Sequence, residues 1–110
     1  MNVSYEEIGR VAATFPQNGC TAGQVCKINS SGTVVPCASG DKFIGVVEGV
    51  RNGFAGVQVE GFVRVPSSGS FGTGFLQLCA DGEGGAMIGA GREYLVISWD
   101  PVTETIVIKL

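Results

Sequence analysis

The chain has 110 residues, a formal net charge of -3 and no histidine; 45% of its residues are apolar, 15% are charged and 18 are glycine. That balance excludes a disordered chain, and its seven cations, scattered singly, supply no basic field for nucleic acid. No apolar run approaches the roughly 18 residues of a membrane span, and a chain of this size is expected to form one domain over 1–110, burying roughly 65% of its unfolded surface without a metal or disulfide.

The N-terminal MNVSYEEIGR carries acids where a secretory signal would carry a basic and then an apolar stretch, so the chain is expected to be made in the cytoplasm without export. Ser4 and Glu7 have capping-box spacing, which allows one helical turn through Ile8; otherwise residues 1–10 form an extended arm. Val11, Ala13 and Phe15 alternate as a first strand, closed by the turn Pro16-Gln17-Asn18-Gly19. QVCKIN (24–29) and TVVPC (33–37) flank Ser30-Ser31-Gly32 and predict a hairpin, with Pro36 at its end or on a sheet edge because proline cannot donate to a ladder.

The most informative stretch is GDKFIGVVEGVRNGFAGVQVEGFVRVP (40–66). Its valines could be placed on a helix, but Gly45, Gly49, Gly53, Gly56 and Gly61 would each cost that helix roughly 1 kcal/mol relative to alanine. Read with a period of two, Val57, Val59, Gly61, Val63 and Val65 point one way, while Gln58, Glu60, Phe62 and Arg64 point the other. Asn52-Gly53 between the apolar runs accepts positive φ twice, as a type I′ hairpin turn requires.

Pro66 to Gly74 reads as an exposed, mobile loop. FLQLCA (75–80) is a strand ending at Asp81-Gly82, and Ala86-Met87-Ile88 leaves room for a short one among glycines. Tyr94, Val96 and Ser98 alternate with Leu95, Ile97 and Trp99; Asp100-Pro101-Val102-Thr103 turns the chain into a last strand, 105–110. The whole predicts an all-β fold, a small barrel or sandwich of about eight short strands joined by Gly-rich turns.

Little here points to catalysis. The absence of histidine removes the commonest general base and metal ligand. Ser39-Gly40-Asp41-Lys42 has S-x-x-K spacing, but on a turn and without the accompanying S-D-N or K-T-G. Cys20, Cys26, Cys37 and Cys79 match no metal or redox spacing and read as buried free thiols. The glycine stretches 69–74 and 82–91 lack the G-K-[ST] of a phosphate loop, and Glu6-Glu7 and Asp81-Glu83 read as solvated surface. No catalytic, cofactor-binding or metal site is therefore expected. Phe62, facing away from the valines with Glu60 and Arg64, either packs under a loop or closes a barrel, or it makes a subunit or partner contact.

TAGQV (21–25), SGTVVPCASGDKFIGVV (31–47), GVQVEGFVRVP (56–66) and GREYLVISWDPVTETIVIKL (91–110), in this order, resemble a family of small phage and prophage proteins similar to head decoration proteins. The resemblance covers most of the chain from Thr21 onward and rests on strand and turn grammar. It implies a small β-barrel or β-tulip with an N-terminal arm, non-enzymatic, often trimeric, that binds the major capsid protein on the exterior of the virion. Tyr5 and Ile8 become candidates for the arm contact, beside Glu60, Phe62 and Arg64. The four cysteines have no counterpart in the family pattern. A carbohydrate- or surface-binding β module is the other reading, and it would need Trp99, Tyr94 or Tyr5 as an aromatic platform.

Overall fold

Asn52 and Gly53 hold φ of 52° and 78°, the pair of positive values the hairpin turn demands, and a strand runs out on each side. The structure, a computed structural model, describes residues 9–110. Among these it has no helix and ten strands: β1 (Val11–Pro16), β2 (Val25–Ile28), β3 (Val34–Pro36), β4 (Gly45–Arg51), β5 (Phe54–Glu60), β6 (Phe62–Pro66), β7 (Gly74–Ala80), β8 (Ala86–Ile88), β9 (Arg92–Asp100) and β10 (Thr105–Lys109). They form two antiparallel five-stranded sheets, β1-β5-β4-β2-β3 and β6-β10-β9-β7-β8, packed against each other in one all-β globule. Pro36 ends an edge strand, where its missing donor costs nothing. The capping-box turn and the arm residues Tyr5 and Ile8 lie outside the described residues.

Two expectations are corrected besides the strand number. The alternating run 57–65 is not one strand, because at Gly61, with φ of 93°, the chain leaves the first sheet and enters the second. Val57 and Val59 consequently pack inside the first sheet, while Val63 and Val65 pack inside the second. Nor is the loop 66–74 exposed throughout. Ser67 and Phe71 are buried, Ser68 N–H donates to Ala86 O (2.9 Å), and Phe71 meets Trp99 edge-on at 6.4 Å. Its polar composition suggested solvent, but one aromatic in it had an open core to fill.

The strand orders reveal an internal duplication, β1–β5 matching β6–β10 position for position. In each half a single parallel bridge joins the edge strands, Gln17 to Val34 and Ser67 to Ala86, so each sheet curls back on itself. The β4–β5 ladder skips Glu48, and the β9–β10 ladder skips Ile97, at matching points between Val47 and Gly49 and between Val96 and Ser98. The β2–β3 and β7–β8 loops use one device. Asn29 Oδ1 accepts from Ser31 and Thr33 N–H, as Asp81 Oδ1 accepts from Glu83 and Gly85 N–H. Gly32 and Gly84 take the left-handed position in the two loops, with φ of 79° and 92°.

The two halves meet end against face. The 81–85 loop end of the second sheet sits on the outer face of β2 and β4, where Val25 N–H donates to Gly84 O (3.0 Å). Gly40 N–H and Asp41 O pair with the backbone of Ala80 (2.8 Å each). Val25, Val46 and Phe43 thereby join the core of the second sheet, in which Phe43 stacks on Tyr94 with ring centroids 4.9 Å apart. Asp41 in turn ties this turn to β2, accepting from Lys27 Nζ (2.6 Å) and Ala38 N–H (2.8 Å).

The Asp81 carboxyl is raised by burial, but bonds from Ser68 Oγ and from Glu83 and Gly85 N–H outweigh this and hold it below the ordinary carboxylate range. A depressed folded pKa contributes stability above the unfolded value of about 3.9, and that contribution is lost as pH falls through the folded one. Asp81→Asn is therefore expected to flatten the acid limb of the melting-temperature profile. At neutral pH the variant should melt below the wild type by the contribution the carboxylate supplies there, and the gap should close as pH falls. An unchanged acid limb would contradict this.

Candidate interface on the second sheet

Residues directly opposite in an antiparallel ladder share a face, so the registers define a row across each sheet. On the outer face of the first sheet the row is Ala12, Gln58, Val46 and Val25; on that of the second it is Phe62, Lys109, Leu95 and Phe75. The rows occupy equivalent positions and meet opposite fates. Val46 and Val25 are buried in the core of the second half and Gln58 is buried at the sheet switch, whereas Phe75 is 69% exposed, Lys109 is exposed and Leu95 is half-buried. An aromatic at each end of the row, with Leu95 between them on a sheet surface, is the composition of a contact patch.

The expected interface residues fall around the sheet switch. Glu60 ends β5, exposed and opposite Val11; Phe62 opens β6, half-buried, within the row; Arg64 is exposed and donates from Nη1 to Thr105 Oγ1 (3.2 Å). Gln58, expected on the same outward face, is buried, and its amide donates to Glu60 O and Phe62 O (3.0 Å each), clasping the chain on both sides of Gly61. Sequence reading missed Phe75, Leu95 and Lys109. The alternation of Phe75 and Gln77 with Leu76 and Leu78 carried the signal for Phe75, but which face lay open was not encoded locally.

The remaining chemical side chains serve the fold. Ser39 and Lys42 flank the turn at Gly40 (φ 90°) and lie on no helix. All four thiols are free. Burial first, then the neighbouring Cys20 and Cys37, pushes Cys26 up to about 12, and burial with the charge of Asp41 pushes Cys37 up to about 11, so both stay protonated and poorly nucleophilic at neutral pH. Among the described residues no cluster of Cys, Asp or Glu is placed to hold a metal ion, and no helix is long and apolar enough to cross a membrane. Tyr94 is buried with its hydroxyl donating to Phe43 O (2.9 Å), and Trp99 packs half-buried against Phe71, so neither forms the open platform a sugar-binding surface needs.

No model of a known protein family matches the chain, and no curated protein matches it by sequence.

Proposed function

We propose that this chain is a non-enzymatic structural protein of a phage or prophage head, a decoration protein that stabilises the shell by bridging subunits of the major capsid protein. It acts as a homo-oligomer, a trimer in the form proposed, on the exterior of the virion after assembly in the bacterial cytoplasm. The observation that carries this reading is the exposed outer row of the second sheet, with Phe75 and Leu95 on a rigid β surface. Glu60, Phe62 and Arg64 lie beside it at the sheet switch, next to Gly9 and Arg10. In this role the mechanism is mechanical: interface area buried across a capsid junction must be lost before the shell opens under internal pressure, and interfaces of about 1,600 Å² are of the standard size for a specific contact.

The test is co-sedimentation of the purified protein with expanded empty shells assembled from the major capsid protein encoded alongside it. Saturable binding at a fixed copy number per capsid subunit is expected, weakened about tenfold or more by the double change Phe62→Ala with Arg64→Ala. Absence of saturable binding would overturn the reading, as would a coding position remote from portal, protease and capsid genes.

A further inference from the structure

The duplication shows what sits on an outer row when that row is covered. In the first sheet, Val46 and Val25 are covered by the loop end of a curled β unit, the corner at Ala80 and the loop 81–85. The equivalent corner of the first sheet is Ile28 with the loop 29–33, built on the same Asx bonds. Among the described residues no loop end packs on that corner in this way. A side chain placed on Gly84 would strike Gln24 at 2.6 Å, whereas one placed on Gly32 would meet nothing within 4 Å. Ile28, the counterpart of the fully buried Ala80, is 42% exposed. The chain thus carries both halves of a joint it already makes once internally: Phe75, Leu95 and Lys109 on the outer face of the second sheet and the Ile28 corner on the first.

We propose that copies of this chain associate head to tail, the Ile28 corner and loop 29–33 of one copy seating on the row Phe75, Leu95, Lys109 of the next. The lysine stem can lie along the apolar contact while its ammonium stays in water at the rim. Between the row and the loop β7 runs two residues further than β2, 75 to 80 against 25 to 28, so the copy-to-copy joint repeats the internal one in kind and not in every contact. A contact of this heterologous type uses different surfaces on the two partners, and it closes into a ring when its rotation divides a full turn. This deepens the oligomeric part of the function proposed above, but it rests on the register equivalence and holds whether or not the chain sits on a shell.

The test is sedimentation velocity over a concentration series on the wild type, Phe75→Glu, Ile28→Glu and an equimolar mixture of the two variants. The wild type is expected to assemble, and each variant alone to do so at least about 30-fold more weakly, as for loss of a central apolar anchor. The mixture should yield a species of two copies and no larger, since the intact corner of one variant fits the intact row of the other. Both residues are exposed, so the variants should melt like the wild type. A wild type that stays monomeric, single variants that assemble normally, or a mixture that stays monomeric would each overturn the proposal. Lost self-association with retained shell binding would sink this inference alone, and the reverse would sink only the capsid reading.

Discussion

Tyr94→Ala is expected to lower the stability of the folded protein by about 3–5 kcal/mol, the range for removing a buried aromatic, out of the roughly 5–15 kcal/mol that holds a typical domain together. The loss is concentrated because Tyr94 does three things at once. It fills the core of the second sheet, stacks nearly parallel on Phe43 (interplanar angle 2°), and donates its hydroxyl to Phe43 O at 2.9 Å. Phe43 lies in the segment that links the turn pinned to Ala80 with β4, so removing the ring loosens the joint between the halves as well as opening a cavity. Tyr94→Phe separates the two contributions. It keeps the stack and leaves only a carbonyl without its partner, which costs about 1–3 kcal/mol. Denaturant midpoints at constant slope measure both changes. If the alanine and phenylalanine variants have equal midpoints, the stack contributes nothing and this account of the joint fails.

The second large effect is expected at the sheet switch. Gly61→Val should cost on the order of 3 kcal/mol or more, since a β-branched residue is forced to a φ of 93° and strain of this kind alone costs about 1–3 kcal/mol. Space is the second obstacle. A Cβ at Gly61 would stand 2.9 Å from Arg10 Cα and 3.0 Å from Gly9 O, both backbone atoms of the chain entering β1. That chain cannot step aside freely, because Arg10 is paired with Glu48. Gln58 and Leu110 fix the crossing from the other side, Leu110 N–H donating to Gly61 O at 2.9 Å. Gly61→Ala should show a smaller loss in the same direction. The check is thermal melting together with amide exchange at Leu110, which should lose protection if the crossing shifts; a valine variant with wild-type melting and protection would refute the argument.

Much of the fold was legible because turns are local. Asn52-Gly53 states its own dihedral demands, Pro36 excludes itself from a central strand, and Asp100 caps its own turn by accepting from Val102 N–H. The duplication was not legible, although it organises the whole chain. Its evidence is register, bulge position and loop bonding, and these survive where the residues differ: Asn29 against Asp81, Glu48 against Ile97, Ile28 against Ala80. Of the expected interface residues, Glu60, Phe62 and Arg64 could be assigned to the face opposite the valines. That this face belongs to two sheets depended on Gly61, which in an alternating run looks like one more small residue.

The sequence by itself determined that the chain is built of short strands, where they turn, and which residues share a face, because alternation and turn dihedrals are set by neighbours a few bonds apart. Only the tertiary structure decided which faces are covered. Gln58 and Lys109 hold the same place in two matching sheets; the first is buried and clasps the sheet switch, while the second stands in solvent beside Phe75. Along the same row Val25 is covered by the loop end of the second half while its counterpart Phe75 stays open, a contact between segments far apart in the chain that no local pattern records.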